Sequence, residues 1–338
     1  MDQRRDTLAH WAATEINRLK GVSPEATLDV VSGDASFRRY FRLRHQGHSW
    51  ICVDAPPDKE DNPRFVRIAC AWHEHGVHVP AVLATDFEQG FMLLEDFGDR
   101  LLWPAVHDGA GEAVVLDLYR QAQKELLAIQ QLPVTGLPAY DDVLLRQEMA
   151  LFPDWLCEQQ LGLTLTDECK AVMQQAFDLL VDNALAQPTV AVHRDYHSRN
   201  LMLCAGDRIG VIDFQDAVAG PLTYDLVSLL RDCYVRWPSA WVDTLVSDYY
   251  QAAVNAGLYK GSLEKFQRHF DLMGMQRHLK AAGIFARLNI RDGKPGYLAD
   301  IPNTCTYLRE VAGRYPEFAD FCAWLDDRFL PQMEQHLS

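Results

Sequence analysis

A chain that carries HRDYHSRNLMLCAGDRIGVID at residues 193–213 has few folds open to it. The runs Leu201 to Leu203 and Ile209 to Ile212 have the composition of two short strands, and Ala205-Gly206-Asp207 between them is turn chemistry. A hairpin closed there sets the start of its first strand beside the end of its second, so that Asn200 and Asp213 become neighbours. Two oxygen donors side by side, with the Asp195 carboxylate one loop away, suit Mg²⁺, which takes a few protein oxygens and fills its other positions from phosphates and water.

The same layout serves phosphoryl transfer. One aspartate accepts the proton of the attacking hydroxyl, while an asparagine and a second aspartate hold the metal that bridges the phosphates. The competing reading is a polar loop in which Asp195 and Asn200 only cap turns. At His193, Asp195, Asn200 and Asp213 the chain resembles the aminoglycoside phosphotransferase and choline kinase superfamily, a branch of the protein-kinase-like fold. The resemblance implies an α+β, two-lobed protein. Residues 1–97 would form a small antiparallel-sheet N-lobe. Residues 98–338 would form a mainly helical C-lobe with the catalytic loop, the metal site and the sugar site. It implies Asp195 as the catalytic base, Asn200 and Asp213 as metal ligands, and ATP with Mg²⁺ as cofactors. It also implies that His193 orients the loop and that Asp225 braces it from the start of the next helix. A first-turn carboxylate is in any case favoured by the helix dipole. Phe214-Gln215-Asp216 follows Asp213 where a protein kinase would carry Phe-Gly, which points to the small-molecule branch.

The net charge of −15 argues against nucleic acid or an anionic membrane as partner. It does not argue against a nucleotide, because a local cation overrides the global field. No apolar run is long enough to span a bilayer. The N-terminal pattern Leu8, Trp11, Ala12, Ile16 and Leu19 is amphipathic, unlike the apolar centre of a signal peptide. The eight cysteines include no C-x-x-C pair and read as reduced core thiols. The expectation is therefore a cytoplasmic protein, taken as a monomer.

Residues 6–20 read as a helix, and Leu28 to Val31, Phe37 to Leu43 and Ser49 to Asp54 as strands. The small polar loop after the first strand is either a plain hairpin turn or a phosphate-covering loop, in which Gly33, Ala35 and Ser36 let backbone N–H groups approach the phosphates. The lysine usual on the third strand is missing, and Asp54 stands at its expected position. Arg38, Arg42, Arg44 and Lys59 are candidates to replace it, with Arg42 assigned to the nucleotide. Asn62 to His75 reads as a helix with Phe65, Ile68, Ala69 and Trp72 on one face. His73, His75 and His78 lack partners at metal-ligand spacing and read as surface residues. Val82 to Thr85 and Phe91 to Leu94 are strand-like, and the resemblance places Glu95 and Phe97 at the adenine. Helices are expected over 112–131, 141–160, 167–186, 223–234, 239–256, 263–291 and 315–328, with breaks at Pro133, Pro138, Pro188 and Pro238.

Asp54 to Pro57, Arg146 to Phe152 and Ile212 to Asp232 together resemble the bacterial anomeric sugar kinases of cell-wall recycling. That group phosphorylates the C1 hydroxyl of N-acetylmuramic acid and N-acetylglucosamine, which implies a small-molecule amino sugar as partner. Glu148, Asp216, Arg231 and Asp232 are the candidate sugar contacts, since such a site needs polar groups that a wrong substrate leaves unpaired. Arg231 suits the lactyl carboxylate of muramic acid. Against this, Glu148 can be a solvated helix face, and Arg231 with Asp232 a structural ion pair. Two other functions stay open. One is an aminoglycoside or other small-alcohol phosphotransferase, although those resistance enzymes usually keep the lysine. The other is a nucleotide-binding scaffold without turnover.

Overall fold

The structure, a computed structural model, describes residues 2–33, 37–107, 109–206 and 208–337. The chain opens with α1 (Gln3–Lys20), β1 (Asp29–Gly33), β2 (Arg39–His45), β3 (His48–Asp54), α2 (Asn62–Glu74), β4 (Val82–Asp86) and β5 (Phe91–Glu95). Next come α3 (Leu102–His107), α4 (Glu112–Gln130), α5 (Asp142–Met149), a π-helical segment (Phe152–Gln160) and α6 (Asp167–Leu185). Four short strands follow: β6 (Thr189–Val192), β7 (Leu201–Cys204), β8 (Arg208–Val211) and β9 (Val218–Pro221). The rest is α7 (Tyr224–Leu230), α8 (Ser239–Asn255), α9 (Leu263–Asp292), α10 (Ile301–Ala312), α11 (Ala319–Trp324) and α12 (Leu330–Leu337). Two compact units result, Met1–Ala105 with Arg199–Asp216 and Val106–Ser198 with Ala217–Ser338.

The first unit is built on an antiparallel sheet of order β1-β2-β3-β5-β4. Alternation sorts its side chains. Phe41, Leu43, Trp50, Cys52, Phe91 and Leu93 form one face, closed by Leu8, Ala12 and Ile16 of α1. Each large side chain sealed there contributes roughly 1.5–3 kcal/mol. α1 starts at Asp2, whose carboxylate accepts the Arg5 N–H, and stops at Gly21 in the left-handed region. The opposite face carries the cross-strand rows Arg42–Ile51–Leu94 and Tyr40–Val53–Met92.

This alternation corrects the expectation for Asp54. Its carboxylate is buried on the α1 face, paired with Arg4 at 2.5 Å and Arg39 at 2.5 Å. The residues of β3 on the other face are Ser49, Ile51 and Val53, none of them cationic. The β7–β8 hairpin also belongs to this unit rather than to the helical part. The Leu203 N–H donates to the Arg100 carbonyl at 2.7 Å and the Val211 N–H to the His78 carbonyl at 2.8 Å. Those backbone bonds tie it to the segment around β4 and β5.

The second unit is organised around α9. Ser262 caps its start by accepting the Lys265 N–H, and Gly293 ends it in the left-handed region. It is buried nearly all round from Phe266 to Ala286, so it behaves as a core helix rather than a surface one. A Cβ on Gly283 would lie 2.3 Å from the Leu151 carbonyl carbon, so glycine is what lets α9 approach the π-helical segment. Gln276, Arg277, His278 and Lys280 are buried on it as well.

Two α9 histidines make stability depend on pH. Burial pushes His278 down to about 3 and His269 to about 4, from an ordinary 6.5. Their stabilising effect is complete above the unfolded value, declines as pH falls below it, and is fully lost once pH has fallen through the folded values. The fully buried His278 is expected to cost roughly 2 kcal/mol at pH 5. Asp225 runs the other way, because burial raises it to about 6 and its contribution is lost as pH rises through that value. Denaturant titrations of wild type and His278→Asn from pH 7.5 to 5 separate the two, and parallel curves would refute the histidine contribution.

Candidate active site

The candidate catalytic loop is the turn between β6 and Ser198. Asp225, in the first turn of α7, accepts the His193 N–H at 2.7 Å and the Arg194 N–H at 3.0 Å. At the other end Asp232 accepts the Ser198 N–H at 3.2 Å and hydroxyl at 2.5 Å. His193 is fully buried, and its Nδ1 accepts the Asp195 N–H at 3.2 Å, which places its proton on Nε2. Tyr196 donates its hydroxyl to the Ala122 carbonyl at 2.8 Å. These bonds hold Arg194 at φ 80°, a left-handed conformation that a long side chain adopts only when its surroundings over-determine it.

Behind the loop, Glu148 collects charge. It pairs with Arg194, accepts the Tyr140 hydroxyl, and lies 3.1 Å from the Lys280 ammonium. Burial raises the Glu148 carboxyl, but Lys280 and Arg194 outweigh it and hold the group below the usual range. Burial likewise raises Asp195, while Lys280, His197, His193 and Arg277 bring it below an ordinary aspartate. Asp195 is thus ionised at neutral pH. It lines a cavity of about 170 Å³ with His197, Tyr224, Tyr234, Arg277 and Lys280. The rings of Phe285 and Tyr297, stacked with centroids 5.7 Å apart, close the same cavity.

The first unit presents the other half of the expected chemistry. Asn200 Nδ2 donates to Asp213 Oδ2 at 3.3 Å, and Gln215 donates to Asp213 Oδ1 at 2.7 Å. The Ile212 N–H bonds the Asn200 carbonyl at 3.1 Å, so the hairpin ladder itself sets the pair. Asp213 has φ 67°. Among the described non-glycine residues only Gln46, Arg194 and Asp213 have positive φ, and Gln46 is explained by the β2–β3 turn. The other two mark a loop and a hairpin end where strain is tolerated for position. No group of three or more His, Cys, Asp or Glu is placed to hold a metal among the described residues. The donor set that remains, one amide and one carboxylate, fits a hard cation that draws its other ligands from phosphates and water.

A cavity of about 430 Å³ opens beside this pair. Ile51 and Leu94 line it from the sheet and Met202 and Ile212 from the hairpin, giving two apolar walls suited to a planar ring. Glu95, Phe97 and Arg42 line it too. The Glu95 carboxylate accepts the Ala81 N–H at 3.2 Å. Arg42 is gripped by Asp96 at 2.6 Å, Asp99 at 2.5 Å and the Gly98 carbonyl at 2.9 Å. Its guanidinium therefore ties β2 to the segment after β5. Phe97 packs on His78, ring centroids 4.6 Å apart, and over Gly210. A Cβ on Gly210 would meet the Phe97 ring at 2.5 Å. Gly210→Ala is accordingly expected to destabilise the protein by about 1–3 kcal/mol and to weaken nucleotide binding through a displaced Phe97. An unchanged denaturation midpoint would show that the wall yields freely.

The remaining sequence candidates fall as follows. Gly33 ends β1 opposite Arg39, and Ala35 and Ser36 lie outside the described residues. Asp216 is exposed. Arg231 pairs with Asp271 at 2.5 Å over the Phe270 ring, away from the Asp195 cavity. It is a structural ion pair, though with Asp271 rather than Asp232. Glu148 is buried, not a solvated face, and it and Asp232 support the loop. Sequence reasoning passed over Arg277, Lys280, Tyr224 and His197, which line the cavity. Only His197 carried a signal, its place two residues after Asp195.

An antiparallel sheet with a helical second unit, a carboxylate-braced loop and an Asn–Asp pair at a hairpin end define a kinase-like phosphotransferase. The comparisons agree. Residues 27–259 match the model of the phosphotransferase enzyme family, and the chain belongs to that family. It is 46% identical to the N-acetylmuramate/N-acetylglucosamine kinase of Pseudomonas putida, over 94% of this chain and 95% of that one. The enzyme of the same name from Neisseria meningitidis is 43% identical, over 96% and 95%. Among solved structures, an ethanolamine kinase from Plasmodium vivax superimposes with a TM-score of 0.64 at 12% identity, covering 94% of this chain and 88% of that one, a likeness of fold. No helix among the described residues is long and apolar enough to cross a membrane.

Proposed function

We propose that the chain transfers the γ-phosphoryl group of ATP to the anomeric C1 hydroxyl of N-acetylmuramic acid and N-acetylglucosamine. The observation that carries this reading is the 46% identity, across nearly the whole of both chains, to a kinase named for those two sugars. Asp195 is the base. Its carboxylate takes the proton as the C1 oxygen bonds to the γ-phosphorus and the bond from phosphorus to the β,γ-bridging oxygen breaks, releasing ADP. Asn200 and Asp213 are the metal ligands, and Mg²⁺ held there would supply positive charge to the phosphate oxygens. The apolar walls at Ile51, Leu94, Met202 and Ile212 take the adenine ring, with Glu95 and Phe97 at its edge.

The sugar occupies the cavity at Asp195, against the Phe285–Tyr297 stack. Arg277 stands in that cavity with its Nη1 3.5 Å from the Cys233 sulfur, a weak acceptor. It suits the lactyl carboxylate of muramic acid better than Arg231, which Asp271 already engages. Coupled ADP release with Mg-ATP tests the reading against a panel of N-acetylmuramic acid, N-acetylglucosamine, kanamycin and choline. Turnover of the two amino sugars is the expected result. Turnover of kanamycin or choline alone would replace the substrate, and ATP binding without turnover of any would make the chain a scaffold.

A further inference from the structure

β3 offers no cation, so some other residue must meet the phosphates if the chain binds ATP, the reading on which this inference rests. Of the four cations that the sequence offers in its place, three are held elsewhere; Arg199, which also lines the cavity, lies over the Trp103 ring. Arg42 is consumed by Asp96, Asp99 and Gly98. Arg44 pairs with Asp29 on the surface. Lys59 is half-exposed, 3.5 Å from Asp58. Arg38, buried like Arg42, has its guanidinium 3.0 Å from Glu60 and over the Phe65 ring. Phe65 lines the nucleotide cavity and packs, centroids 5.0 Å apart, on Phe214, the residue after Asp213.

Strand geometry gives the direction. Arg39 lies over Phe41 and pairs with Asp54 on the α1 face, so Arg38 falls with Tyr40 and Arg42 on the cavity face. Arg38 is four residues along from Arg42, a distance on the order of 13 Å in extended chain. It therefore sits at the far end of the sheet from Glu95 and Phe97, where the phosphates of a nucleotide run when its base rests at those residues. Glu60 fixes this end twice, since its second carboxylate oxygen accepts the Phe37 N–H at 3.1 Å.

We propose that Arg38, positioned by Glu60 before α2, is the cation that meets the nucleotide phosphates in place of a strand lysine. The arrangement reproduces the physics of a lysine–glutamate pair, in which the acid aims the cation, from a different strand and with a planar donor fork that matches phosphate oxygens two at a time. Arg38 is then a binding residue and Glu60 a positioning residue.

Calorimetric titration of Mg-ATP, ADP and adenosine into wild type, Arg38→Gln, Arg38→Lys and Glu60→Gln tests it. Arg38→Gln is expected to weaken ATP roughly 10- to 100-fold and to leave adenosine within about twofold. Arg38→Lys restores part of the loss, and Glu60→Gln shows a smaller loss with the same selectivity for phosphates. Adenosine is the control for folding, because a merely structural role moves adenosine and ATP together, and that outcome would overturn the assignment. So would wild-type ATP affinity in Arg38→Gln. A wild type that binds no ATP would overturn the proposed function along with it.

Discussion

Asp195→Asn is expected to lower kcat by roughly 10²- to 10⁴-fold, the range over which a positioned general base acts. The amide keeps the shape of the carboxylate and loses its ability to take the C1 proton. The Km for ATP should change little, because Asp195 lines the cavity with Arg277 and Lys280 rather than the one with Ile51 and Leu94. Stability should also change little, since Lys280 keeps its Glu148 partner 3.1 Å away. Lys280, His197 and His193 hold the Asp195 carboxyl below the ordinary range despite its burial, so the acid limb of the wild-type kcat profile should lie below that range too. A mutant within tenfold of wild type would remove Asp195 from the chemistry.

Glu148→Ala is expected to be the most destabilising single change, by about 3–5 kcal/mol, the cost of removing one partner from a buried ion pair. Two cations depend on this carboxylate, Arg194 and Lys280, as does the Tyr140 hydroxyl. Without it, positive charge is left buried beside the catalytic loop and Arg194 has less to hold it at φ 80°. Activity should fall with stability in Glu148→Ala. Glu148→Gln retains the acceptor and loses only the charge, and should lie between it and wild type. Equal denaturation midpoints for Glu148→Ala and wild type would show that the cluster contributes nothing net.

Local features of this molecule were legible in the sequence, and features set by distant partners were not. The β7–β8 hairpin and the Asn200–Asp213 pair follow from two apolar runs around a turn, and the structure brings them together at 3.3 Å. The long helix over 263–291 follows from its spacing and ends one residue later, at Asp292. β6 and β9 are four residues each and find each other across the loop and hairpin, so neither announced itself. α10, Ile301–Ala312, was not among the expected helices; its Pro302 lies in the first turn, where proline is tolerated.

Charged residues were the hardest to place. Asp54 was assigned to the wrong face because the strand sequence alone does not say which side α1 covers. Arg231 and Glu148 are buried by Asp271 and Lys280, partners more than a hundred residues away for Glu148 and on another helix for both. Arg277 and Lys280 look like solvated positions of a long helix until the helix is seen to be buried.

The position of the phosphate tests the account most directly. The product of N-acetylglucosamine and Mg-ATP, isolated and examined by proton-coupled phosphorus NMR, should show coupling to the anomeric proton and release its phosphate in mild acid. An acid-stable phosphate coupled to the C6 methylene protons would contradict the assignment of the anomeric hydroxyl to Asp195.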